Sequence, residues 1–205
     1  MLRPQQPPFN FPTLLTLTRL ILAPVILPFL LVALLPYNLL PVNVILAIIF
    51  AGFGLTDYFD GYFARKLDQV TSLGRLLDPV ADKLLLTSTL IALVAIGEFW
   101  FYWAIIWISR DLFVMALRQR AAEQRMTLNV SSYAKIKTAA QLVCLTFVIL
   151  NPMHAYGLLE HPGWNMTELF LMLTATTLTI TSAYRYYFAY VKQCVVDSQN
   201  KENTN

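Results

Sequence analysis

The chain has 205 residues, of which 57% are hydrophobic and only 13% charged, with a mean hydropathy of +0.56 and a formal net charge of +3. A soluble domain carries about 25% charged residues, so this composition excludes an ordinary soluble fold and points to an integral membrane protein. The small net charge supplies no broad basic field, and nucleic acid is not an expected partner. The length suits one compact membrane-embedded unit over residues 1–195. Residues 1–11, with Pro4, Pro7 and Pro8, read as a surface-lying lead-in, and 196–205 as a polar, disordered tail. The first ten residues lack the pattern of a cleaved signal peptide, so none is expected.

Six apolar stretches follow in chain order, at about residues 13–35, 42–63, 78–96, 99–118, 136–150 and 167–190. Most approach the ~20 residues that a spanning helix needs. Pro24 and Pro28 bend the first. The fifth is short and reaches full length only by starting near Tyr133 and taking in Lys135 and Lys137. An all-α protein with six transmembrane helices is therefore expected. Cys144 and Cys194 lack metal or disulfide spacing and read as small residues in or near apolar helices.

Lys and Arg set the orientation. An even number of spans puts both termini on one side, with the loops after the second and fourth spans. All 15 basic residues lie on or lean toward that side, and the opposite loops (about 36–41, 97–98 and 151–166) contain none. The positive-inside rule makes that side cytoplasmic.

On the same side stand Asp57, Asp60, Gly61, Ala64 and Arg65, then Gly74, Asp78 and Asp82. A carboxylate at membrane depth costs about 2.5–3.5 kcal/mol even on lenient scales, so four together need a compensating partner. Asp57 and Asp60 are three apart, Asp78 and Asp82 four apart; on helices each pair shares a face. The second and third spans form a hairpin that brings the pairs together, with Pro79 expected in the first turn of the third helix. Oxygen-only ligands suit hard divalent cations, here two Mg²⁺ or Mn²⁺. Gly61 and Ala64 leave room for a ligand's approach, and Arg65 offers a fork suited to phosphate. Helix capping by Asp78, or salt bridges from these aspartates to Arg65, Lys66, Arg75 or Lys83, are the plainer readings of single residues.

The pattern D-x2-D-G-x2-A-R-x8-G-x3-D-x3-D is met at every fixed position, and it resembles the signature of the CDP-alcohol phosphatidyltransferases. The resemblance implies a six-helix membrane enzyme, usually a homodimer, holding two divalent cations in a cytoplasm-facing cavity. Its members transfer a phosphatidyl group from CDP-diacylglycerol to an alcohol and release CMP. By position, Asp57, Asp60 and Asp78 would be metal ligands, and Asp82 a further ligand and the general base. Gly61, Ala64, Arg65 and Gly74 would contact the cytidine diphosphate along with Asp57 and Asp60. A carboxylate beside cations has a lowered pKa, so Asp82 suffices as a base only if the hydroxyl or the departing CMP is also stabilised.

A second constellation is basic. Arg110 lies inside the fourth span, eight residues before Arg118; Lys135 and Lys137 enter the fifth. A buried arginine needs an anion, and phosphate fits its fork. These residues read as a site for a phosphorylated acceptor, with positive-inside anchoring as the plainer reading. Arg110-Asp111 through Arg118, then Lys135-Ile-Lys137-Thr138 and Gln141, are similar to the bacterial CDP-diacylglycerol–glycerol-3-phosphate 3-phosphatidyltransferases. Ala134 stands where glycine is usual there and Asp111 where glutamate is usual. That likeness implies glycerol 3-phosphate as acceptor, phosphatidylglycerophosphate as product, membrane lipids as surroundings and the bacterial cytoplasmic membrane as location. A CMP-forming cardiolipin synthase, taking phosphatidylglycerol, is the near alternative. A divalent-cation transporter is remote, since it would need acids near the bilayer midplane.

Thr16 and Arg19 could reach the nucleotide or the acceptor, or cap and anchor the first span. Arg185 could complete the acceptor site, but Tyr184, Tyr186, Tyr187 and Tyr190 around it read as an interfacial aromatic belt. Trp100, Trp103 and Trp107 read as anchors of the fourth span that meet lipid or a second subunit. His154 and His161 read as loop residues on the face opposite the aspartates.

Overall fold

In the computed structural model, residues 24–66, 72–124, 126, 131–150 and 162–202 are described; for 56–66, 72–82, 131–132, 162–165 and 196–202 the description covers the backbone alone. The described residues form helices and connecting turns, with no strand among them. The helices are α1 (Pro24–Tyr37), α2 (Leu40–Lys66), α3 (Ser72–Ala95), α4 (Phe101–Glu123), α5 (Ser131–Leu150) and α6 (Pro162–Glu202). Thr16, Arg19, the 1–11 lead-in, His154 and His161 lie outside the described residues.

Two boundaries differ from the sequence reading. First, α3 begins at Ser72, so Asp78 and Pro79 lie within the helix rather than opening it. Proline there has no amide to give the carbonyl of Arg75, a cost tolerated within a membrane bundle. Second, α6 is 41 residues long and continues to Glu202, into the segment expected to be disordered. No Gly or Pro follows Gly163, so nothing in the backbone chemistry stops the helix. The fifth helix starts where the sequence reading required: α5 opens at Ser131, and Tyr133–Leu150, an apolar run of 18 residues that takes in Lys135 and Lys137, has the length and composition to cross a bilayer, at about 1.5 Å per residue.

The chain is organised as two compact units. One holds α1, α2, α3 and the end of α5 from Leu145. Its core is apolar at helical spacing: Leu27, Leu31 and Leu35 from α1, Leu46 and Phe50 from α2, Leu86, Leu90 and Leu93 from α3, with Leu145 and Ile149. Asn38, left-handed at φ 45°, turns the chain from α1 into α2, and its side-chain oxygen accepts from Asn43 Nδ2 at 2.8 Å. The far end of α3 closes in a Schellman motif: Glu98 N–H donates to Leu93 O at 2.9 Å and Gly97 N–H to Val94 O at 3.1 Å. Gly97 takes the positive φ of 79° that this motif requires.

The other unit holds α4, α5 up to Cys144 and α6 from Asn165. Here the inward stripe is mixed. Ala104, Trp107, Val114 and Ala121 recur along α4 at about 3.5-residue spacing. Lys137, Gln141 and Cys144 line α5, and Glu168, Met172, Ala175, Thr176, Thr179, Ser182 and Tyr186 line α6. In both units the outward positions are apolar, as with Phe29, Ile48, Leu112 and Phe170, each at least 62% exposed. Large apolar side chains spread over every helix are costly in water and favoured against acyl chains.

Candidate functional site

The aspartates stand on the paired helices that the sequence reading assigned them. Asp57 and Asp60 belong to α2, and Asp78 and Asp82 to α3; these consecutive helices touch within one unit. By register each pair is separated by about one helical turn, roughly 5 Å of rise. Gly61, Ala64 and Arg65 follow on α2, and Gly74 lies in the first turn of α3. The side chains of all eight are outside the described residues. A divalent hard cation fits the donor set, four carboxylates with no nitrogen or sulfur among them, on two adjoining helices.

The basic constellation is described in full. Asp111 stands at its centre and takes Lys137 Nζ on both oxygens, at 2.7 and 2.9 Å, and Arg110 Nη1 on Oδ1 at 2.7 Å. The anion that a buried arginine needs is thus a carboxylate of this chain. Arg110 Nη2 also donates to Ser182 Oγ on α6, while Arg110 Nε is buried with no partner among the described residues. An orphaned buried donor costs about 1–3 kcal/mol, more on a charged group, so this corner of the guanidinium is held at a cost.

Around this core the structure divides the expected acceptor residues. Arg110 and Lys137 are enclosed, with side chains 9% and 3% exposed, whereas Arg118, Lys135 and Arg185 are open. Tyr186 corrects the aromatic-belt reading: it is fully buried, with the Arg110 and Arg118 guanidinium carbons 5.9 and 5.6 Å from its ring centre. Tyr184 and Tyr187 are exposed, as belt residues are. Arg185 stacks closely on Tyr133, with its guanidinium carbon 3.6 Å from the ring centre. Below the charged layer, Gln141 Nε2 donates to Thr179 Oγ1 at 3.2 Å, and Trp107 Nε1 to Thr176 Oγ1 at 2.8 Å. Trp107 is therefore a buried tie between α4 and α6, not a lipid-facing anchor; Trp100 does face outward.

Sequence reasoning missed Ser182, Tyr186 and Tyr133. The available signal was the spacing on α6, where Thr179, Ser182 and Tyr186 recur at three and four residues on the face that carries Thr176. A polar stripe within an apolar helix marks an interior face.

The model of the CDP-alcohol phosphatidyltransferase family matches residues 9–186, which takes in both constellations. The chain belongs to that family. It is accordingly a transferase and a membrane protein, helical throughout its described residues. Among its relatives are the CDP-diacylglycerol–glycerol-3-phosphate 3-phosphatidyltransferases of Salmonella typhimurium (strain LT2) and Escherichia coli (strain K12). Each is 38% identical over 188 residues, covering 88% of this chain and 94% of the relative. The protein of that name from Salmonella choleraesuis is 38% identical over 189 residues, with the same coverage.

Proposed function

We propose that this family member transfers the phosphatidyl group of CDP-diacylglycerol to the sn-1 hydroxyl of glycerol 3-phosphate, yielding phosphatidylglycerophosphate and CMP. The observation that carries the reading is near end-to-end similarity to relatives bearing that activity in their names. The basic constellation agrees with it, since three open cations and two enclosed ones suit an acceptor with its own phosphate.

In this reading Asp57, Asp60 and Asp78, with Asp82, hold two divalent cations, Mg²⁺ or Mn²⁺. Bound there, the cations supply charge neutralisation on the pyrophosphate and polarise the phosphorus under attack. Gly61, Ala64, Arg65, Gly74 and Thr16 receive the cytidine diphosphate. Asp82 accepts the proton of the attacking hydroxyl. The new bond joins that oxygen to the diacylglycerol-side phosphorus, and the bond to the CMP phosphate breaks with its electron pair leaving on CMP. Arg118, Lys135 and Arg185 meet the acceptor's phosphate from the open side, with Arg110 and Lys137 behind them. Six spans, cytoplasmic termini and aspartates, and a homodimer complete the proposal; the basic residues of the sequence favour that orientation.

The test compares acceptors. Purified protein with CDP-diacylglycerol and Mg²⁺ or Mn²⁺ is given glycerol 3-phosphate, phosphatidylglycerol, inositol phosphate or serine, and CMP release is measured. Glycerol 3-phosphate is expected to be the productive acceptor. Turnover with phosphatidylglycerol alone would replace this reading with a cardiolipin synthase.

A further inference from the structure

Arg110, Asp111, Lys137 and Ser182 form a cluster whose order is unusual for a phosphate site. Two cations face one carboxylate, and the carboxylate, 18% exposed, is the most open of the three charged groups. Lys137 reaches Asp111 with its ammonium across both oxygens, a contact that braces it on the carboxylate. Arg110 is held at two corners, Nη1 by Asp111 and Nη2 by Ser182, and its ring neighbour Tyr186 limits rotation. The third corner, Nε, is buried and without a partner among the described residues. A guanidinium carries five N–H donors, and one fixed by two protein acceptors keeps donors, Nε among them, to give to a bound anion.

We propose that Asp111 and Ser182 are positioning residues for the acceptor: they hold Arg110 and Lys137 as a fixed pair, one net positive charge in all with Asp111, that recognises a small phosphomonoester. The inference rests on the glycerol 3-phosphate reading above. Neither residue touches the reacting atoms. Asp111 holds the ammonium of Lys137 on both carboxylate oxygens inside the bundle, where a buried charge needs such pairing. Ser182 sets the direction of Arg110. Loss of either misplaces the cations without altering the aspartate site, so acceptor binding suffers while CDP-diacylglycerol binding does not.

The experiment uses the full chain in mixed micelles. Initial rates are measured against glycerol 3-phosphate at saturating CDP-diacylglycerol, and against CDP-diacylglycerol at saturating glycerol 3-phosphate. Asp111→Asn is expected to raise KM for glycerol 3-phosphate at least tenfold, with KM for CDP-diacylglycerol within twofold of the starting protein. Asp111→Glu, which keeps the charge, is expected to return the acceptor KM to within threefold. Ser182→Ala removes a single hydroxyl and gives the milder form, about a threefold rise on the acceptor side only. It carries the test should Asp111→Asn fail to fold. Equal changes in both KM values, or none in that of glycerol 3-phosphate, overturn the positioning role while leaving the acceptor reading intact. A starting protein that releases no CMP with glycerol 3-phosphate removes the acceptor reading, and this inference with it.

Discussion

Replacing Trp107 with phenylalanine tests whether α4 and α6 are joined by the buried indole. The side chain is 1% exposed, and its Nε1 donates to Thr176 Oγ1 at 2.8 Å. Interhelical hydrogen bonds in membrane proteins average about 0.6 kcal/mol and reach about 1.7. The smaller ring leaves a void of about 30–40 Å³, which at ~24 cal/mol per Å³ adds about 1 kcal/mol. Trp107→Phe should therefore destabilise by about 2 kcal/mol, lowering the folded-to-unfolded ratio roughly thirtyfold, since each 1.4 kcal/mol is tenfold. The assay is reversible unfolding from detergent micelles by SDS titration, followed by far-ultraviolet circular dichroism. A double-mutant cycle with Thr176→Val isolates the hydrogen bond and should return a coupling of about 0.6–1 kcal/mol. A loss below about 0.5 kcal/mol for Trp107→Phe, or a coupling near zero, would refute the tie and restore the lipid-facing role.

Asp57→Asn, Asp60→Asn or Asp78→Asn should abolish CMP release, and should also remove the rise in thermal midpoint that Mg²⁺ or Mn²⁺ gives the starting protein. A mutant that keeps the cation-dependent shift would exclude its aspartate as a ligand. Gly97→Ala should cost about 1 kcal/mol in the same unfolding assay, because φ of 79° strains any side chain, while a Cβ there meets no atom within 4 Å. An unchanged midpoint would mean that the α3 terminus relaxes freely.

The aspartate pattern was legible because helical spacing is a property of the chain alone: three and four residues apart gives one turn wherever a helix forms. The basic residues were legible as a set and not as an arrangement. Arg110 and Lys137 were read as seeking phosphate, yet Asp111, noted only as standing where glutamate is usual, is the anion they hold. Tyr186 and Trp107 were misread for one reason. An aromatic residue on a helix faces lipid or protein according to its angle around the helix, and that angle acquires meaning only once neighbouring helices are in place.

Composition and periodicity by themselves thus determined a helical membrane chain, the two aspartate pairs at helical spacing and the inventory of cations, since each depends on local spacing or on transfer free energy. Tertiary structure decided which cations are enclosed and which are open, and which carboxylate balances them. Burial of charge depends on what stands opposite it, and Ser182 stands 72 residues from the arginine whose hydrogen bond it accepts. No local pattern in the chain carries that distance.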